Sequence, residues 1–298
     1  MDVSFAYGIN VRGQVVGYSH APAHYHAFLW EDGEMADLGT LGGYHSRVYG
    51  INARGQVVGH SWTGGPSHMG GPAHAILWEN GTMTDLGTMG GETSGAMDIN
   101  ARGQLVGASK VTPGENINRA FLWDNGVWTD LGTLGGDHSL AYGVNIHGQV
   151  VGVSQISTNM NHAFLWEDGV IMDLGIPADY GYGYAQDIND WGQVVGYIGG
   201  ANWHAVLWEN GGITDLGTMG GTFSYAYGIN NRGQVVGECD TATGETHACL
   251  WEKGAWTDLG TLGGPFSTAR GINDRGQVVG WSSTATGATH ATLWTPGH

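Results

Sequence analysis

Residues 224–264 read SYAYGINNRGQVVGECDTATGETHACLWEKGAWTDLGTLGG. Four short runs make up this stretch. Ser-x-Ala-Tyr-Gly-Ile-Asn alternates small and large side chains. Gly-Gln-Val-Val-Gly is a β-branched run held between glycines. His-Ala-x-Leu-Trp is apolar and aromatic, and Trp-Thr-Asp-Leu-Gly closes the unit. The connections between the first and second runs, and between the third and fourth, are tight glycine-containing turns of the hairpin kind. No segment keeps a helical period over about 11 residues or more. The unit recurs along the whole chain: Ile9, Ile51, Ile99, Val144, Ile188, Ile229 and Ile272 are equivalent, at spacings of 42, 48, 45, 44, 41 and 43 residues. Four antiparallel strands repeated at that period predict a propeller blade.

The first three runs occur seven times, whereas the Asp-Leu-Gly run occurs six times. An outermost strand can be missing without breaching the channel wall, so the Asp-Leu-Gly run belongs at the rim and Ser-x-Ala-Tyr-Gly-Ile-Asn at the axis. The prediction is one all-β domain over residues 1–298, a seven-bladed β-propeller of four-stranded antiparallel blades, with one blade lacking its outer strand. The bare edge of blade seven is the expected contact if the protein is a dimer rather than a monomer.

Composition narrows the function. Charged residues are 12% and glycines number 55, which suits short strands and tight turns. The formal net charge is −17, and much of it is periodic, in the Asp-Leu-Gly step and after the repeat tryptophan. A chain this acidic argues against nucleic acid and anionic membranes. No stretch is apolar enough to span a bilayer, and no signal peptide is expected in this chain. Cys239 and Cys249 fall on neighbouring strands, with Cys239 nearer His247, and are read as free thiols.

Units such as His162-Ala163-Phe164-Leu165-Trp166 and Asp258-Leu259-Gly260-Thr261-Leu262-Gly263-Gly264 resemble the HAF repeat family over essentially the whole chain. The resemblance implies a β-propeller, with strand order like a kelch blade, and an extracellular or periplasmic bacterial setting. It implies no particular chemistry, and fold alone supplies none.

In such a blade the 1–2 and 3–4 turns lie on one side of the disc, and here they are nearly constant. The 2–3 loops (19–25, 61–73, 109–118, 154–161, 198–203, 239–246 and 282–289) and the 4–1 loops vary, most of all 176–183. Variable loops on one face of a rigid scaffold are where binding and catalysis are usually mounted. His26, His74, His162, His204, His247 and His290 share one third-strand position, with Arg119 as the seventh member. They are too spread round a disc to hold one ion, and are read as structural imidazoles bonded to nearby backbone. His20, His24, His45, His60, His68 and His138 fall on the variable face without tight ligand spacing, so no metal and no cofactor is expected.

Trp62, Trp203 and Trp281 depart from the repeat on the variable face, where they suit stacking on a sugar ring. Arg47, Arg119 and Arg270 depart from the Arg-Gly-Gln turn that holds the other arginines. On the first strands the small residues Ala6, Val48, Ala96, Ala141, Ala185, Ala226 and Ala269 alternate with a large, varied set. The small set packs blade on blade. The large set, including Tyr7, Arg47, Tyr49, Tyr142, Tyr184, Gln186, Tyr227 and Arg270, is predicted to line the channel mouth. Asp98 and Asp187 replace a repeat glycine and add carboxylates opposite. An arginine pair can clamp a carboxylate.

Two functions fit. The first is a recognition propeller for a small anionic or saccharide ligand, or a protein partner, bound at Arg47, Arg119, Arg270, Trp62, Trp203, Trp281, Tyr184 and Gln186. The second is a lyase or cyclase working on a carboxylated substrate through Tyr7, Tyr49, Tyr142, Tyr227, Arg47, Arg270, His60, Asp98 and Asp187 as acid–base and anchoring groups. No nucleophile-elbow or phosphate-loop motif is present.

Overall fold

The computed structural model describes residues 3–20, 24–64, 71–158 and 160–295. Among these every regular element is a strand. Each repeat forms an antiparallel meander in chain order, first strand to fourth, and repeat seven contributes three strands. Five sheets have four strands. The sixth has seven, because the third strand of repeat six, Thr246–Glu252, meets the first strand of repeat seven, Gly263–Ile272, in one parallel pair, Thr246 with Phe266. The first strands surround the axis, and the Asp-Leu-Gly strands form the rim, as the count of runs predicts. Ala6, Val48, Ala96, Ala141, Ala185, Ala226 and Ala269 are all essentially inaccessible. They meet the Val-Val and Ile side chains of neighbouring repeats in separate apolar clusters between the sheets.

The first turn is held by a device the sequence reading took for an ordinary hairpin. In Asn-x-Arg-Gly-Gln the buried asparagine Oδ1 accepts two backbone N–H groups of its own turn, Arg12 (3.0 Å) and Gln14 (3.1 Å) for Asn10. Its Nδ2 donates to the Gln14 side chain and, across the repeat boundary, to the Asn52 carbonyl at 3.0 Å. The same inter-repeat bond runs from Asn52 to Asn100, to Asn145, to Asn189, to Asn230, to Asn273, and from Asn273 back to the Asn10 carbonyl at 2.9 Å. A second link lies higher on the first strand. Ser46 Oγ accepts the Ala27 amide of the preceding repeat and donates to the Gly39 carbonyl. Ser94, Ser139, Ser224 and Ser267 repeat the amide contact, and Ala291 donates to Ser4 at 2.9 Å where the ring closes. Repeat five carries Gly183 at this position, packed close to Ile176 of the atypical 4–1 loop.

Two expectations are corrected. The third-strand histidines are bound by carboxylates, not by backbone. His26, His74, His162, His204 and His247 each place Nδ1 2.7 to 3.0 Å from the Asp-Leu-Gly aspartate on the fourth strand. Each aspartate stands opposite the residue two places beyond the histidine, as Asp258 stands opposite Cys249, so the pair is a diagonal one. Cys239 and Cys249 form a disulfide. The register does pair Cys239 with His247, as expected. Cys249 lies two residues further along on the same face, and its Cα is 6.1 Å away, within bridging range.

Replacing Asn145 with Asp removes the Nδ2 donor from a buried ring site and sets a carboxylate against two oxygen acceptors. The expected loss is about 3 kcal/mol or more in chemical denaturation. Lys253 occupies a left-handed turn position (φ 55°) that asparagine or aspartate fills in the other five 3–4 turns. Lys253→Asn should stabilise by about 0.5–1 kcal/mol in the same measurement.

Candidate functional site

Every first strand is irregular at the same place. Pairing with the second strand skips one residue, and the residues left out are Tyr7, Tyr49, Met97, Tyr142, Gln186, Tyr227 and Arg270. The second glycine of Gly-Gln-Val-Val-Gly makes this bulge sterically feasible. A Cβ at Gly17, Gly59 or Gly237 would overlap the first-strand carbonyl oxygen pressed against it. Each bulge turns its extra side chain toward the axis. Those seven side chains, with Asp98 and Asp187, line a cavity of about 390 Å³. Its floor is formed by the ring isoleucines, among them Ile9, Ile51 and Ile272, which separate it from a smaller cavity of about 250 Å³ at the asparagine turns.

The structure therefore brings Tyr7, Tyr49, Tyr142, Gln186, Tyr227, Arg270, Asp98 and Asp187 together, and separates Arg47 from Arg270. Arg270 lines the cavity, its guanidinium 3.7 Å from the centre of the Tyr227 ring and 4.8 Å from Trp281. Arg47, two positions earlier in the aligned unit, lies before the bulge and does not line the cavity. Its guanidinium sits over Tyr18 (4.9 Å), Tyr25 (5.4 Å) and Trp62 (5.8 Å) at the mouth. The two arginines are linked through rings: Tyr18 stacks on Tyr7 at 5.5 Å, and Tyr7 touches Trp281 at 5.3 Å. Arg119 is not part of this assembly; it pairs with Ser109 on the sheet of repeat three. Among the described residues none of the three arginines forms a salt bridge, and each has a buried Nε without a hydrogen-bond partner.

Above the bulge the mouth is built of cross-strand pairs: Phe5 with Tyr18, Arg47 with His60, Tyr184 with Tyr197, Tyr225 with Glu238, and Thr268 with Trp281. Repeat three supplies only Gly95 with Ala108, so the wall is low there. Tyr184 accepts a hydrogen bond from Asn161 at 2.8 Å and packs with Tyr197 and Trp203. Tyr227 donates to Glu238 at 2.9 Å. Trp62 contacts His45 and His60. Tyr18, Tyr197 and Glu238 escaped the sequence reading, although the residue after Gly-Gln-Val-Val-Gly varies visibly from unit to unit. Trp191, in place of the repeat arginine, stands 76% exposed on the opposite side, its Nε1 bonded to the Asn231 carbonyl.

Burial dominates the electrostatics. It pushes the hydroxyls of Tyr7, Tyr142 and Tyr227 up, and that of Tyr49 up to about 12. These phenols stay protonated, and Tyr227 donates to Glu238. Burial and then the Arg47 charge push His60 down to about 4, so it is a neutral imidazole. Asp98 and Asp187 each accept two backbone N–H bonds: Asp98 from Ile99 and Val144, Asp187 from Ile188 and Ile229. Even so, burial raises both, and with Asp98 facing it Asp187 reaches about 8. No group of three His, Cys, Asp or Glu side chains among the described residues could hold a metal ion, and His68 lies outside those residues.

No family model and no curated protein matches the chain. Solved structures do. The β-propeller domain of the trilobed protease from Pyrococcus furiosus superposes with a TM-score of 0.64 at 11% identity, over 98% of this chain and 95% of that one. Pyrococcus horikoshii acylaminoacyl peptidase gives 0.61 at 13%, over 98% of this chain and 51% of that one, so the chain spans about half of that enzyme's length. TolB from Acinetobacter baumannii gives 0.51 at 8%, over 85% of this chain and 61% of that one. At these identities the likeness establishes the propeller fold alone.

The raised aspartates give a sign to the pH response. A carboxyl whose pKa rises on folding contributes stability that is complete below about 4 and gone once pH passes about 8. Carboxyl-carbon NMR should place the Asp187 midpoint near 8. Asp98→Asn removes the facing charge and should lower that midpoint; an unchanged midpoint would show the two groups to be uncoupled.

Proposed function

We propose that this protein is a seven-bladed recognition propeller of the HAF-repeat type that binds an acidic saccharide at the mouth of its axial cavity. The observation that carries the reading is the state of Arg270 and Arg47. Each is a cation seated among aromatic faces, with a buried unpartnered Nε and no salt bridge among the described residues. Such a group is costly until an anion meets it, and guanidinium is the side chain best shaped for a carboxylate. Trp62, half-buried at the mouth, supplies a face for a sugar ring, and the raised Tyr142 hydroxyl supplies a donor. The low wall at Gly95 and Ala108 is where a longer saccharide would leave the mouth.

The charge states favour binding over turnover. A lyase or cyclase needs a base, and the tyrosines are held protonated while His60 is too weakly basic. Asp98 and Asp187 are both raised by burial, Asp187 to about 8, and both oxygens of each already accept backbone N–H groups.

Ligand-observed NMR and calorimetry with uronate oligosaccharides and matched neutral ones test the reading. Saturable binding of the uronates is expected, weakened about tenfold or more by Arg270→Ala and unaffected by Arg102→Ala on the opposite face. A silent panel, or full affinity in Arg270→Ala, would sink it. New resonances after overnight incubation would favour the enzyme.

A further inference from the structure

The rim of repeat seven differs from the other six in a way that specifies what would fit there. In repeats one to six the third strand is covered by the Asp-Leu-Gly strand in one fixed register: Phe28 faces Asp37, Leu29 faces Ala36 and Trp30 faces Met35 in repeat one, and Cys249 faces Asp258, Leu250 faces Thr257 and Trp251 faces Trp256 in repeat six. The aspartate takes the third-strand histidine, at 2.8 Å for His247. The leucine amide then donates to the third-strand alanine carbonyl, as Leu259 does to Ala248 at 2.9 Å.

Among the described residues the outer edge of Thr289–Trp294 meets only the start of repeat one, through the Val3–Thr289 bridge and the Ala291 amide on Ser4 Oγ, and no fourth strand pairs with it. The side chains there register the vacancy. The third-strand alanine is inaccessible in the other six repeats, whereas Ala291 is half-buried. Leu293 is 37% exposed. His290 has no carboxylate partner among the described residues, although the same ring is paired in five other repeats.

We infer that this edge is a docking site for an extended peptide strand carried by another polypeptide, of the form Trp, Met or Ile, then most often Thr, then Asp, Leu, Gly. The aspartate meets His290, the leucine amide meets the Ala291 carbonyl, and the large apolar side chain covers Trp294. An unpaired edge is a template for strand addition, with backbone bonds giving affinity and alternate side chains giving specificity. Six copies of the occupant, on six equivalent edges of the same molecule, define its chemistry. A second copy of the chain fits less well. Its own Asp-Leu-Gly strands are engaged, and pairing edge to edge would leave His290 without a carboxylate.

The test uses the intact protein and a fluorescent peptide of residues 254–263, GAWTDLGTLG, followed by anisotropy and by amide NMR. Saturable binding is expected, with shifts centred on residues 290–294. His290→Ala, or Asp258→Ala in the peptide, should each weaken it about tenfold, and together no further. Circular dichroism confirms that the His290 variant is folded. The inference is overturned if the peptide does not saturate, if both alanine changes leave its affinity intact, if the shifts fall elsewhere, or if the protein is a dimer whose interface already holds residues 290–294.

Discussion

The asparagine ring is the contact on which the remaining geometry depends. Each carboxamide is fully used: Oδ1 accepts two backbone amides of its own turn, and Nδ2 donates to the repeat glutamine and to the next asparagine's carbonyl. One side chain thus fixes a hairpin and its neighbour's position together. The apolar ring above it, isoleucine in six repeats and Val144 in the other, brings the first strands together but imposes no direction on them. The directional bonds set how each first strand approaches the axis. The bulge and its facing glycine then decide which residue points inward. The regular part of the repeat builds a socket, and the seven bulge residues are free to differ because none of them is needed to hold it.

Strand order and the axial face were legible in the sequence because both are matters of periodicity. Six Asp-Leu-Gly runs against seven of each other run identified the rim, and alternation of alanine with large residues identified the channel wall. The bulge was not legible. It is a property of hydrogen-bond register, and a run such as Arg47-Val48-Tyr49 reads as plain alternation. That is why Arg47 and Arg270 seemed to share one pocket. The histidine–aspartate pairs and the disulfide were missed for a related reason: both join neighbouring strands on a diagonal, and a reading confined to residues directly opposite one another does not find them. The mouth residues Tyr18, Tyr197 and Glu238 carried a usable signal, since an invariant glycine precedes each of them.

Charge is distributed by radius. The net charge of −17 suggests a surface hostile to anions. Yet the repeated acids sit on the third and fourth strands and in the 3–4 turns, toward the rim. Among the described residues the irregular arginines near the axis form no salt bridge. At physiological ionic strength fields from exposed charges fade within about 8 Å, so the mouth is governed by what is near it. There the aspartates are held toward their neutral form and the guanidiniums remain charged. An acidic protein can in this way present a locally cationic centre.

Six of the seven links in the asparagine ring join residues 41 to 48 positions apart, while the seventh, from Asn273 to Asn10, spans 263. In the folded molecule it is no different from the others. During folding it is, because neighbouring repeats can dock as soon as both exist, whereas the last link must close a loop of nearly the whole chain. The contacts that accompany it, Ser4 with Ala291 and Val3 with Thr289, form a seam with no covalent crossing. The disc is therefore a ring in geometry and an arc in time. The seam is the last part to assemble, and it is where a partial opening starts.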